Sequence, residues 1–257
     1  CFLDSASQAA IAGVTDLETA VEGISTVLNA YNMDAEEAGR VSDVMFETVK
    51  AGKTNFEQLS ASLFNVVPIA SAANVQFEEV SAALAVITAQ GTPTSVATTQ
   101  LRAAIQGLLK PSEDMIGLWQ SMGYETGQAA IEALGMQGAL DAVRGSVEGD
   151  IGQMTKMLGS IEAVQGALGI TGQNFEKFES QLDASTNAAG STAEAYRTMA
   201  EGFGQQWKIL KETVINAMIS IGTAILPTVQ KIVGAIAPVV QKMADWVAEH
   251  PKLTAAI

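Results

Sequence analysis

The 257 residues carry 28 acidic against 14 basic side chains, a net charge of −14, and hold one cysteine and one histidine. A single cysteine excludes an internal disulfide and a thiol-rich metal site, and an acidic body without a basic cluster argues against nucleic-acid binding, which needs Lys and Arg to neutralise phosphates. The charge is uneven: residues 203–257 carry +2, with Lys208, Lys211, Lys231, Lys242 and Lys252 against Glu212, Asp245 and Glu249, which leaves −16 on the rest.

A chain of this length suits one large or two modest domains with a real core. It opens on Cys1 and stops at Ile257 without a polar tail, so it reads as a piece of a longer protein. Almost every segment reads as helix, because Ala, Gln, Glu, Met and Leu are plentiful and strand-like alternation is hard to find. From Val14 to Ala30, residues Val14, Leu17, Val21, Ile24, Val27 and Leu28 recur at helical spacing. Asp34-Ala-Glu-Glu37 is a capping signal for a helix with Val41, Val44, Met45 and Val49 on one face, closing near Gly52. Thr54-Asn-Phe-Glu57 repeats the device ahead of Leu59, Leu63 and Val66, and Pro68 should bend or interrupt that helix.

Gln76-Phe-Glu-Glu79 opens the next helix, with Val80, Leu84 and Ile87 inward and an end at Gly91. A turn over Gly91–Ser95 leads to a helix from Val96 to Leu109, and Pro111-Ser112 breaks to a short one around Met115–Met122. Residues 1–122 therefore form a first domain of short, capped helices. From Gly123 glycine recurs at eleven positions up to Gly172. Each glycine inside a helix costs about 1 kcal/mol relative to Ala, so these helices should be short or bent. The alternative is close helix contact, with Gly138 or Gly166 as a packing notch. This Gly-rich helical connector spans 123–192 and includes a helix over Asn174–Ala184 with Phe175, Phe178 and Leu182.

The third segment, 193–257, resumes through Tyr196, Met199, Phe203, Trp207 and Leu210 into a long apolar helical stretch. Its uncharged run Thr213–Gln230 is followed by Lys231 and a second uncharged run to Gln241. Pro227-Thr-Val-Gln-Lys-Ile232 recurs as Pro238-Val-Val-Gln-Lys-Met243, eleven residues on. An eleven-residue period keeps one face aligned along a helix. Roughly 20 apolar residues span a bilayer, so residues 213–240 read either as a packed helix or as a membrane-inserting one. The fold class expected is all-α: a bundle of short helices followed by long, partly apolar amphipathic helices.

No catalytic, cofactor-binding or metal-binding residue is assigned, and no cofactor is implied. A Ser-His-Asp or Cys-His arrangement would have to use His250 or Cys1, both at the ends, and no phosphate-binding Gly loop or zinc signature is present. The carboxylate pairs Glu36/Glu37, Glu78/Glu79 and Glu113/Asp114 each fall in the first turn of an expected helix, where negative charge complements the helix dipole. Arg102, among Leu101 and Ala103–Ile105, either pairs across a helix interface or lies along the surface with its head in water. Trp119, Trp207 and Trp246 read as packing anchors, and the ten methionines as adaptable helix contacts.

The ordered phrases Val14-Thr-Asp-Leu-Glu-Thr-Ala20, Asp34–Met45, Thr54-Asn-Phe-Glu-Gln-Leu59, Val75–Ala85 and Gln90–Ile105 together resemble the core region of phage tail tape measure proteins of the TP901 type. The likeness is best over residues 5–125 and strongest from Gly91 to Pro111, where Thr98 stands in place of the family's usual Gly. It implies a non-enzymatic virion protein, made in the host cytoplasm and housed in the tail tube, that acts as scaffold and ruler for tail assembly. The implied partners are the tail tube protein, tail assembly chaperones, distal tail proteins and further copies of itself, with possible contact with the host membrane at infection. The reading from another class is a membrane-inserting or pore-forming helical protein that uses residues 213–240.

Overall fold

A computed structural model describes residues 2–202 together with 237, 238 and 241. The chain divides into two units, Cys1–Met199 and Ala200–Ile257, and the twelve α-helices named below all lie in the first. Among the described residues there are helices and turns and no strand, as the composition led one to expect. Apart from Ala237, Pro238 and Gln241, the long apolar stretch and the eleven-residue phrases lie outside the described residues, as do Trp207, Trp246 and His250. No helix among the described residues is long and apolar enough to cross a membrane.

Helix α1 (Phe2–Ala12) is one that large-residue spacing passes over, since its inner face is built from alanine: Ala6, Ala9, Ala10 and Ala12 are buried. Helix α2 (Leu17–Ala30) starts where Asp16 accepts the N–H of Thr19 at 2.8 Å, a side-chain cap on the first turn. The Asp34–Glu37 phrase forms a 3-10 turn over Ala35–Glu37 before α3 (Ala38–Ala51), which stops at Gly52 as its spacing required. The cap of α4 (Phe56–Leu63) is Asn55, whose side chain accepts from Gln58, one residue later than the Thr54 phrase indicated. Pro68 does interrupt the helix, and it sits in the first turn of α5 (Val67–Ala72), where its missing N–H costs nothing.

Helix α6 (Phe77–Ala89) is central: ten of its 13 residues are buried, and α3, α5, α7, α11 and α12 all pack on it. A helix covered on all sides must bring small side chains and satisfied hydroxyls. Ala82, Ala83 and Ala85 supply the first, while Ser81 donates to the carbonyl of Val44 at 3.1 Å and Thr88 to that of Leu84 at 2.7 Å. Helix α7 (Thr94–Leu109) follows Gly91, whose φ of +100° turns the chain. On it Thr98 is fully buried and returns its hydroxyl to the carbonyl of Ser95 at 3.0 Å, which is how a polar side chain occupies that packed position. Ser112 caps α8 (Glu113–Ser121), and Trp119 anchors α8 in the core at 1% exposure.

Residues 123–192 fold onto the helices that precede them. They form α9 (Gly127–Ser146), α10 (Ile151–Leu158), α11 (Ile161–Ile170) and α12 (Phe175–Thr186), and α11 makes its most extensive contact with α7. Both uses of glycine occur. At Gly166 an added Cβ would sit 2.5 Å from the carbonyl oxygen of Gln100, so α11 and α7 touch backbone to backbone there. Gly127 and Gly107 play the same part against Leu108 and Leu158. Gly138 is not such a notch, since its added Cβ would meet only Leu134 of its own helix. Gly135 instead breaks α9, with φ 71° and ψ 167°, a conformation essentially restricted to glycine. Beyond Asn187–Gly190 the chain is helical again over residues 191–202.

Candidate functional site

Several places on this unit gather polar side chains, among them a hollow of about 640 Å³ with Asp114, Ser121, Gln153 and Lys156. Three others involve residues that the sequence or the helix contacts bring forward. The first is an open cleft of about 480 Å³ between α6, α9 and α12, lined by Arg40, Glu78, Glu79, Gly135, Gln137 and Phe178 among others. Because Gly135 breaks α9, the N–H of Met136 starts a new helical run without an intrahelical acceptor, and Glu79 accepts it at 2.8 Å from across the cleft. Burial pushes the Glu79 carboxyl above its ordinary value, and Glu78 pushes it the same way, while the N–H groups of Met136 and Gln76 oppose the rise.

Glu78 itself binds Arg40, which also donates to Glu37 at 2.8 Å. The Glu37 hydrogen bond, with support from Glu78, holds the Arg40 guanidinium protonated. Tyr31 donates to the carbonyl of Val75 at 3.0 Å, and burial, with Glu78 and Glu79 nearby, drives its phenol well above the usual range. Gln137, 3% exposed, donates to the carbonyls of Ile170 and Phe175 at 2.8 and 3.0 Å. In this cleft Arg40, Glu78, Glu79 and Gln137 are engaged in holding one helix to another.

The second place is a clasp on α3. Asp43, 9% exposed, accepts the N–H of Gly190 at 2.7 Å and that of Thr192 at 2.9 Å. Ser42 and Thr192 share a hydroxyl hydrogen bond at 3.1 Å, and Glu47 accepts from Ser191 at 2.8 Å while binding Lys50 at 3.0 Å. Gly190 has no side chain with which to cap the helical run 191–202, so a carboxylate from another helix does so. Sequence spacing did not single out these residues. The available signal was a polar pair, Ser42-Asp43, set between Val41 and Val44 on a buried helix.

The third place is a shallow hollow bordered by Phe64, Asn65, Pro68, Ile69, Arg102 and Gln106. Arg102 is exposed and forms no ion pair among the described residues, so of its two readings the solvated one holds. The carboxylate pairs stand as helix-dipole chemistry demands: Glu78/Glu79 and Glu113/Asp114 in first turns, and Glu36/Glu37 in the 3-10 turn before α3. No cluster of metal-ligating side chains occurs among the described residues.

Against known proteins, the family model described as phage-related minor tail protein matches residues 2–159. A probable tape measure protein of Clostridium phage phiCD119 is 36% identical over 230 residues, which cover 86% of this chain and 24% of that protein. A tape measure protein of Pneumococcus phage Dp-1 is 23% identical over 237 residues, covering 91% of this chain and 20% of that protein. The chain thus spans a quarter or less of the length of these relatives. No solved structure matches it. With more than half of its residues matched by one family model, the chain belongs to the phage-related minor tail proteins.

Proposed function

We propose that this chain is part of a phage tail tape measure protein, a structural and non-enzymatic component that acts as scaffold and ruler while the tail tube is built. The observation that carries the reading is the 36% identity to a probable tape measure protein along 86% of the chain. The structure supports it by what its polar groups do: carboxylates and guanidinium join helices, as in a scaffold. In this reading the chain resides in the virion, inside the tail tube, after synthesis in the host cytoplasm. Its partners are the tail tube protein, tail assembly chaperones, distal tail proteins and other copies of itself.

Physical size divides the labour. A compact unit of 199 residues has a radius of gyration of about 16 Å, whereas the same residues as one helix would extend about 300 Å. Residues in the compact unit therefore add little length each, and a ruler must draw its length from elsewhere in the protein. An in-frame deletion of Thr213–Glu249 in the intact phage tests this. As extended helix, those residues account for about 55 Å at about 1.5 Å each. Electron microscopy should show tails shorter by that amount. Tails of unchanged length would remove this segment from the ruler, and if such phage adsorbed without delivering DNA the segment would be an envelope-crossing one instead.

A further inference from the structure

Two surface features of the compact unit remain unexplained by its own stability, and they complement one another. The first is the corner between α1 and α2, where Ile11, Val14 and Leu17 are 46%, 78% and 47% exposed. Val14 stands at φ 51°, the left-handed region, which a β-branched side chain enters only at a cost. Helix α1 needs a left-handed residue there, because the N–H of Thr15 turns back to the carbonyl of Ala10 at 2.9 Å. Glycine, the residue that would adopt it freely, stands one place earlier, where an added Cβ would lie 2.8 Å from the Phe56 ring. An exposed, strained valine gains nothing for the isolated fold, where Asn or Gly would serve better. Beside it Glu18 is exposed and forms no ion pair among the described residues.

The second feature is the hollow beside Arg102. Phe64 is 61% exposed at its edge, Pro68 and Ile69 continue the apolar lining, and Arg102 borders it as a cation unpaired among the described residues, in a chain that carries −14. A hollow with an apolar side of Phe64, Pro68 and Ile69, a polar side of Asn65 and Gln106, and a guanidinium unpaired among the described residues fits an apolar projection that brings a carboxylate.

We propose that the corner at Val14 of one copy seats in the Arg102 hollow of the next, with Glu18 paired to Arg102, so that copies join head to tail. Charge complementarity selects this pairing over a symmetric one. Two hollows facing each other would set Arg102 against Arg102, and two corners would set Glu18 against Glu18. The net charges of two copies repel, but at physiological salt that repulsion is largely screened beyond about 8 Å, while a contact pair at the interface is screened much less. The inference adds a surface and a polarity to the self-association included in the ruler reading. It is tested on the purified chain in solution rather than on tails, so the two fail separately.

Analytical ultracentrifugation of the 257-residue chain and of two variants decides it. Val14→Asp blocks the corner and Arg102→Glu blocks the hollow; both positions are exposed, and thermal melting of each variant verifies its fold. The wild-type chain should associate as concentration rises, and each variant should associate at least tenfold more weakly. A mixture of the two variants should form one-to-one dimers and nothing larger, because each retains the surface that the other has lost. Glu18→Lys combined with Arg102→Glu should restore assembly. A wild-type chain that stays monomeric, variants that associate like wild type, or a mixture that forms no dimer would each overturn the proposal.

Discussion

Asp43 holds the backbone N–H of Thr192 at 2.9 Å across 149 residues of chain, and its other oxygen holds Gly190. The start of the helical run 191–202 is therefore capped from α3 rather than from its own sequence. Replacing Asp43 with Ala leaves two N–H groups without their acceptor in a place where the carboxylate is 9% exposed. A lost cap with a buried unsatisfied donor costs about 2 kcal/mol. Urea unfolding should show that loss, and hydrogen exchange should show the amides of Gly190 and Thr192 opening sooner than those of α6. Equal exchange in variant and wild type would mean that the clasp contributes nothing.

Glycines in the second half of the unit separate into two kinds that a pair of substitutions can tell apart. Gly127→Ala places a Cβ 1.9 Å from the carbonyl oxygen of Leu108, so α9 must move off α7. Overpacking of that kind costs about 1–3 kcal/mol. Gly117 lies within α8 with nothing within 4 Å of an added Cβ. Gly117→Ala should therefore stabilise by about 0.5–1 kcal/mol, chiefly by restricting the unfolded chain. Thermal melts of the two variants should move in opposite directions.

The helices of residues 14–122 were legible because their signals are local. Leu59, Leu63 and Val66, or Val80, Leu84 and Ile87, state their buried face by spacing, and Gly52 and Gly91 mark ends. Helix α1 escaped notice because its inner face is alanine, which carries little periodic contrast. The Thr54 phrase pointed one residue too early, since Asn55 caps equally well and the chain chose it. What no local pattern states is where a side chain goes once the helices meet. Asp43 and Glu79 serve helices that lie 149 and 57 residues away, and a first-turn Glu looks the same whether it faces water or another helix. The role of Gly166 was open for the same reason, because a notch exists only when α7 is there to fill it.

Glu79 gives the unit a pH dependence whose sign follows from its environment. Burial, the largest influence, raises its folded-state value, so the folded chain binds this proton more tightly than the unfolded chain does. The resulting stability is fully present below the unfolded value of about 4.3 and is lost as pH rises through the higher folded one. Asp16 acts in the opposite sense: the N–H of Thr19 lowers its value, so its contribution is present at neutral pH and lost on acidification below the ordinary range. In Glu79→Gln the component of stability that grows on mild acidification should vanish, because Gln retains an oxygen for the Met136 N–H and carries no charge. Glu79→Ala differs, leaving that N–H unpaired at a cost of about 1–3 kcal/mol. Unfolding free energies measured from pH 7 to pH 4 check both; an unchanged pH slope in Glu79→Gln would assign it to other carboxylates.

Val14 sets stability and surface use in opposition. A left-handed residue costs an ordinary L side chain roughly 1–2 kcal/mol, and Asn bears that conformation more easily than valine does. Asn32 and Asn74 already stand at φ 52° and 57° after α2 and α5, the equivalent positions elsewhere in this unit. Since Val14 is 78% exposed, its methyl groups give up little burial on replacement. Val14→Asn should therefore stabilise the unit by about 0.5–1 kcal/mol, read as a rise in melting temperature. The same change removes the apolar tip of the α1–α2 corner, so association of the chain should weaken while its stability rises. A variant that loses stability and association together would show that Val14 is held by contacts within its own fold, and that its left-handed backbone is not maintained for a neighbour.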